Sequence, residues 1–442
     1  MLVEFRVKNF RSFNEEQVLS LVAGGRDDSH QENLIICEGF NLVKAAAIHG
    51  ANASGKSNFV KAMRFMTSFV RNSATKMNLG DKIQGVVPFR LDPDARRMPS
   101  SFELAMIIDG TRFEYGFSAT GEQVHSEFLF AYPAGRRQRW LERDFGCGTK
   151  ETGWAFRGPL KKEEKILKEK TRANGLVLSR GAELNIEALK KVFLWFREGV
   201  LVFDLSERPS ALFQRTAERI KNEKYFHDTV IDMIRHADVG IDDIIVSEEA
   251  IPLENMPDHI KEFWSRRLIH QASGEKSGDE QTFKRRTIQA IHSQHESGAK
   301  ETYDFANDES NGTKRFFALC GPFLEALREG TVVVVDELEC SMHPLLTRKL
   351  VELFQSAGTN KSGAQLIFAT HDSTLMDPEL FRRDQIWLVE KNQKGASELF
   401  SLHDFDTKGR PRNTEAFQRN YLAGRYGGVP KFGPIFEDLE LK

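Results

Sequence analysis

The run Gly50-Ala51-Asn52-Ala53-Ser54-Gly55-Lys56-Ser57 has the spacing G-x-x-x-x-G-K-[ST]. Its two glycines allow a tight turn whose N–H groups face an anion, and the positive end of a following helix adds to the attraction. In such a loop Lys56 reaches the β- and γ-phosphates of a nucleotide and the Ser57 hydroxyl ligates Mg²⁺, with Asn52 and Ser54 inside the phosphate-binding turn. A second group follows four valines, Val332 to Val335, which end in Asp336 and Glu337. Asp336 suits the Mg²⁺ shell, and Glu337 suits the orientation or polarisation of an attacking water. Side chains alternate along a strand, so the two carboxylates point differently, as two roles require.

Two further groups stand on weaker ground. The apolar run Leu366 to Ala369 ends in Thr370-His371-Asp372. His371 can donate to a γ-phosphate and sense its loss, or serve structure alone; its order behind the other motifs favours the first. Glu309-Ser310-Asn311-Gly312-Thr313-Lys314-Arg315 opens a helix ahead of the acidic strand. Ser310 and Gly312 present a hydroxyl and a backbone N–H at a helix start, which is either an ordinary cap or an anion site.

The elements that must carry these groups are legible in outline. Val3, Phe5 and Val7 alternate with charged residues, the period of a half-buried strand, and a second strand is expected at Val18 to Val22. Ala45 to His49 reads as a buried strand ending at a glycine. Phe59, Ala62, Met63, Met66, Phe69 and Val70 then recur at helical spacing. From Phe89 to Phe156 short alternating runs flank Asp109-Gly110, a hairpin signal, so an antiparallel sheet is expected there. Residues 159–295 read as mainly helical, with helices over 184–196, 210–236 and 256–270 and an exposed loop at 272–281. The last third alternates strands and helices, which implies a mostly parallel sheet with right-handed crossovers.

The composition excludes several classes. Lys+Arg 62 against Asp+Glu 64 gives a net charge of -2, so any basic nucleic-acid surface must be local. Cys37, Cys147, Cys320 and Cys340 are scattered without zinc spacing, and Phe 34 against Tyr 6 favours buried rings. The opening MLVEFRVKNF has no apolar signal core and no run approaches the ~20 residues that span a bilayer, so a cytoplasmic, non-membrane protein is expected.

The order of motifs resembles the ABC-class ATPase head of SMC, RecF and OLD-type proteins. The opening FRVKNFRSF, the run Glu339-Cys340-Ser341-Met342-His343-Pro344 and the closing Tyr421 to Pro430 resemble, more narrowly, compact ATPase subunits of prokaryotic abortive-infection and antiphage systems. That group includes AbiL- and RloA-like proteins and the ATPases of retron and PARIS operons. The resemblance implies an α/β fold with an ABC-type head, an inserted antiparallel β lobe and a helical insertion. The expected division is 1–88, 89–158, 159–300 and 301–442, the first and last forming the head. It implies ATP and Mg²⁺ as cofactors, with Lys56 and Ser57 as Walker A, Asp336 as Walker B, Glu337 as the catalytic glutamate and His371 as the switch histidine. Ser310 and Gly312 match the signature that completes the site of an opposite protomer, although Glu309 stands where that motif has Leu. Gln84 and Gln123 are the candidates for its Q-loop glutamine.

The implied partners are a second copy or higher oligomer through composite ATP sites, an effector nuclease or toxin from the same operon, and DNA or a phage protein as trigger, with no membrane. A RecF- or SMC-like DNA-repair ATPase is the alternative. It would draw on Arg136, Arg137, Arg139 and Arg143, on Lys161, Lys162, Lys165, Lys168 and Lys170, or on Lys284, Arg285 and Arg286. A GTPase is disfavoured because Asn360-Lys361-Ser362-Gly363 lacks the final Asp of a guanine-reading element. Glu390, Asp404 and Asp406 are spaced too closely for an appended Toprim nuclease.

Overall fold

Runs of valine, isoleucine and alanine build a six-stranded sheet in the spatial order Val200–Asp204, Val332–Asp336, Gln365–Ala369, Ala45–Gly50, Ile386–Lys391 and Ser397–Ser401. The first five are parallel, and the last folds back antiparallel. Ala45–Gly50, Val332–Asp336 and Gln365–Ala369 are buried at every position, as parallel strands covered on both faces must be. The computed structural model describes residues 1–25, 27–37, 39–145, 153–205, 209–237, 240–252, 282–294, 297–405 and 416–430. Cys147, Asp406, the helix expected at 256–270 and the loop at 272–281 lie outside the described residues, as do the side chains of Lys284 and Arg285.

A seven-stranded antiparallel sheet runs Gly153–Phe156, Gln138–Asp144, Val124–Tyr132, Thr111–Ala119, Ser100–Ile108, Leu2–Lys8, Gln17–Ser20. Its hairpin closes at Asp109-Gly110, with φ of 47° and 72°, the two left-handed residues that a tight two-residue turn needs. The opening strand belongs to this sheet, paired with Ser100–Ile108. The expected β lobe therefore continues through the N-terminus instead of standing apart from it. The overall class is mixed α/β.

The helix Lys56–Asn72 packs rings against the antiparallel sheet: Phe59 on Phe5 at 5.4 Å, Phe65 on Phe102 at 4.8 Å and Phe69 on Phe117 at 5.4 Å between centroids. The same core cluster holds Ala46, Ile48, Val334 and Ile367 of the parallel sheet, so one helix ties both sheets together. This is where the phenylalanine excess goes. Each buried ring contributes roughly 2–3 kcal/mol. Arg71 at the end of that helix donates to Phe196 O at 2.7 Å and Val200 O at 2.6 Å, which seats the strand Val200–Asp204.

Contacts divide the chain into one unit of residues 1–207 with 325–442 and another of residues 208–324. In the second, the helices Pro209–Asn222 and Lys224–His236 accompany an antiparallel sheet of Asp243–Pro252, Thr282–Ser293 and Lys300–Asp304. Phe213, Phe305 and Phe317 form its aromatic centre. These strands correct the mainly helical reading of 159–295. Ile288 and Ala290 are buried two residues apart, and β-branched Ile244, Ile245 and Val246 open the first strand, so the period is two.

Arg143 is another correction. It is 1% exposed, not a surface cation, and lies 3.8 Å from Glu127 in the core. Glu127 accepts from Val177 N (2.7 Å), Leu178 N (3.0 Å) and the Tyr115 hydroxyl (2.9 Å), pinning the start of the helix Val177–Glu183 to the antiparallel sheet. Glu127→Ala strands those donors and the Arg143 charge. Urea denaturation should show a loss of about 3–5 kcal/mol, with Glu127→Gln recovering much of it because the acceptor returns.

Candidate active site

The strand Ala45–Gly50 delivers the phosphate-loop sequence to the C-terminal edge of the parallel sheet, and the helix Lys56–Asn72 leaves from it. Gly50 has φ of 157°, and a Cβ there would lie 2.4 Å from Val389 O. Gly55 has φ of 125°, and its Cβ would meet Ser397 Oγ at 2.3 Å. Only glycine fits either place. No side chain caps the helix and no acid occupies its first turn, so the N–H groups at its start have no partner within the helix.

Lys56 is buried. Its Nζ donates to Gly50 O (2.7 Å) and Ala51 O (3.1 Å), and lies 3.4 Å from His371 Nδ1. Burial pushes its amine down to about 8 against the opposing pull of Glu339, Asp336 and Glu337. His371 is lowered as well, by burial first and then by the Lys56 charge, so its ring is neutral and Nδ1 accepts from the amine. His49, the residue before Gly50, is fully buried and pushed down to about 3 by burial, with Lys56 and His371 adding to the effect. It packs against Tyr421, whose hydroxyl donates to Gly428 O at 3.0 Å. The closing Tyr421–Pro430 segment thus supports the strand that carries the loop.

Asp336 ends its strand 4% exposed, with its carboxyl raised by burial and by the charges of Asp204 and Glu337. The Ser57 hydroxyl donates to it, while Oδ1 is buried without a hydrogen-bond partner. A hydroxyl beside an orphaned carboxylate oxygen suits a hard, oxygen-loving cation such as Mg²⁺. Among the described residues no group of three or more His, Cys, Asp or Glu could hold a metal, so water or phosphate oxygens would have to complete the shell. Glu337 adopts φ of 55° and, with Asn52, Ala53, Ser57, Glu339, Cys340 and His371, lines an open pocket of about 680 Å³.

The structure therefore joins Gly50, Asn52, Ser54, Gly55, Lys56, Ser57, Asp336, Glu337 and His371 at one sheet edge. Ser310 and Gly312 belong to the second unit, where Ser310 Oγ accepts from Thr313 N at 3.1 Å and caps its own helix. Gln84 and Gln123 sit in an exposed loop and a turn closed by Thr120 N to Gln123 O, and neither lines the pocket. Sequence reasoning missed Glu339, whose Oε1 accepts from His371 N at 2.6 Å; the E-x-x-x-H-P run contained it without showing that contact. It also missed Asp204, and the buttress of Ser12, Asn58 and Ser397. Asn58 Nδ2 donates to Ser12 Oγ at 2.9 Å, Ser397 N to Ser12 O at 2.7 Å, and Ser397 Oγ to Ser54 O.

Residues 45–377 match a family described as "AAA domain, putative AbiEii toxin, Type IV TA system", a span that contains every one of the predicted site residues. The chain belongs to this family. It is a P-loop ATPase family associated with abortive-infection systems. No curated protein matches the chain. Among the described residues no helix is long and apolar enough to cross a membrane. The family span ends before Ser397 and Tyr421, so the loop's buttress and the support beneath it come partly from outside the shared core.

The lowered Lys56 amine implies a pH dependence for nucleotide binding at this loop. A nearby phosphate holds the proton on, so above about pH 8 binding must take one up, and affinity should fall by up to tenfold per pH unit. The ligand-free fold responds in the opposite sense. Its unfolded lysine keeps a proton to higher pH, so stability rises as pH climbs from about 8 toward 10.5. Titration with a fluorescent ATP analogue between pH 7 and 9.5 checks the first effect, and a flat affinity contradicts it.

Proposed function

We propose that the chain is an ATP-binding and ATP-hydrolysing ABC-class subunit of an antiphage defence system, which senses infection and controls a partner effector, a nuclease or toxin. The observation that carries the reading is the convergence of Lys56, Ser57, Asp336, Glu337 and His371 on the same edge of the sheet. ATP and Mg²⁺ are the cofactors, the cation neutralising charge on the transferring phosphate when bound. Lys56 leaves its carbonyl partners for phosphate oxygens, Ser57 and Asp336 hold the cation, and Glu337 orients the attacking water. His371, in contact with Lys56 and fixed by Glu339, feels the γ-phosphate through the amine.

ATP hydrolysis by this scheme needs the signature of a second copy, with Ser310 and Gly312 facing its nucleotide in a dimer or higher oligomer. A protein client is favoured over DNA by the net charge of -2 and by pairing inside the basic clusters. Lys161 and Lys168 pair with Glu164, Lys162 with Glu163, Arg139 with Glu142, and Arg286 with Glu248, so part of each cluster's charge already faces a carboxylate of the chain.

Lys56→Ala should abolish nucleotide binding, whereas Glu337→Gln should bind ATP and lose turnover by a hundredfold or so, in the ~10²–10⁴ range of a removed general base. Wild-type turnover in Glu337→Gln refutes the assignment. A Ser310→Arg chain mixed with Glu337→Gln should regain part of the lost ATPase through one intact composite site. The absence of rescue at every mixing ratio counts against a shared interface.

A further inference from the structure

Asp204 closes the strand Val200–Asp204, which pairs in parallel with Val332–Asp336 residue for residue, setting Asp204 directly beside Asp336. Register partners on neighbouring strands stand roughly 4.8 Å apart and project from the same face of the sheet. Both lie at the C-terminal edge where the phosphate loop opens. Two carboxylates at that spacing repel each other, and a fold that keeps one of them buried needs positive charge to offset it. The protein groups that favour ionised Asp336 are the Ser57 hydroxyl, Lys61 one turn along the helix, and the Lys56 amine, which phosphate would draw on as well. They leave Asp336 Oδ1 buried with no hydrogen-bond partner. In a residue only 4% exposed, that oxygen is withdrawn from bulk water and keeps its lone pairs for a group bound in the site.

We infer that Asp204 is, with Asp336 and Ser57, a ligand of a divalent cation of the Mg²⁺ or Mn²⁺ class, and that this site takes the cation before nucleotide enters. The use of that cation rests on the nucleotide reading above; its binding does not. The donor set is two carboxylates and a hydroxyl, all hard oxygens, which selects small hard cations over the softer metals that prefer nitrogen or sulfur. Charge count sets affinity in such sites. A second carboxylate doubles the negative charge that faces the cation, which is the ground for expecting it to bind ahead of substrate phosphates. A preloaded cation would also quench the repulsion between the two aspartates, so it should stabilise the ligand-free fold.

The test uses Mn²⁺ alone with the full, nucleotide-free chain, reading free Mn²⁺ by electron paramagnetic resonance and stability by thermal melting. The wild type should bind one Mn²⁺ per chain in this pocket and melt higher with it. Asp204→Asn and Asp336→Asn should each weaken binding by about tenfold or more, while Asp204→Glu, which keeps the charge, should retain more of it. The rise in melting temperature that Mn²⁺ brings should vanish in Asp204→Asn; a rise as large as the wild type's overturns the inference. So does a wild type that takes Mn²⁺ only with nucleotide, or an Asp204→Asn chain that binds Mn²⁺ as the wild type does. A fluorescent ATP analogue in excess EDTA separates the two readings. A chain that binds Mn²⁺ through Asp204 but never nucleotide refutes the ATPase proposal and keeps the cation site, and the reverse pattern refutes only this inference.

Discussion

A buried ammonium organises the edge of the parallel sheet. Taking Lys56 out of water costs several kcal/mol, and the fold offsets that with two carbonyls of its own loop and with the fields of Glu339, Asp336 and Glu337. The loop can wrap the amine only because Gly50 and Gly55 have no side chains to strike Val389 and Ser397. The acids can surround it only because parallel strands end at one level, which brings residues 49, 204, 336 and 370 to a common edge although they lie far apart in sequence. The amine and acids are thus mutually conditional: removing the cation leaves buried like charges, and removing the acids leaves a buried cation.

That dependence also explains the roles of segments outside the shared family span. Ser12 and Ser397 brace the loop from below through backbone and hydroxyl contacts, and the Tyr421 ring covers His49. His49 has no hydrogen-bond partner at Nε2 and is held neutral, so the face under the loop adds no competing positive charge to a site that must accept phosphate. Loop geometry is therefore set by three stretches distant in sequence, near residues 12, 397 and 421. A P-loop pattern in eight residues cannot reveal them.

Legibility in the sequence follows the range of the interaction. The strand-loop-helix around Lys56, the valine strand with its acids and the Asp109-Gly110 hairpin are local, fixed by periodicity and turn chemistry, and each is present. Asp204 and Glu339 escaped notice because their meaning is spatial. Val200–Asp204 reads as any short apolar strand until register sets it beside Asp336. Glu339 is one acid among many until its carboxylate is found on the His371 amide. Strand Leu2–Lys8 was legible as a strand, but its membership in the antiparallel sheet depends on a partner about a hundred residues away. The basic clusters are a similar case: sequence shows the charge but not that Glu164, Glu142 and Glu248 stand beside Lys161, Arg139 and Arg286.

The segment Glu309–Arg315 caps its helix with the same atoms that the proposed function asks to meet an anion. Ser310 and Thr313 bring two hydroxyl hydrogens, and the 2.8 Å contact between their oxygens uses one of them. The Thr313 N–H bond uses only a lone pair of Ser310, so one hydroxyl hydrogen is left to donate outward whichever way the pair is polarised. Capping therefore fixes the serine's position without exhausting the donor capacity of the Ser310–Thr313 pair. Glu309, beside it, would repel a phosphate, but its carboxylate is engaged by His292 at 2.8 Å. On the proposed reading of this segment as a signature, the His292 contact is what holds the Glu309 carboxylate where the motif has an apolar residue.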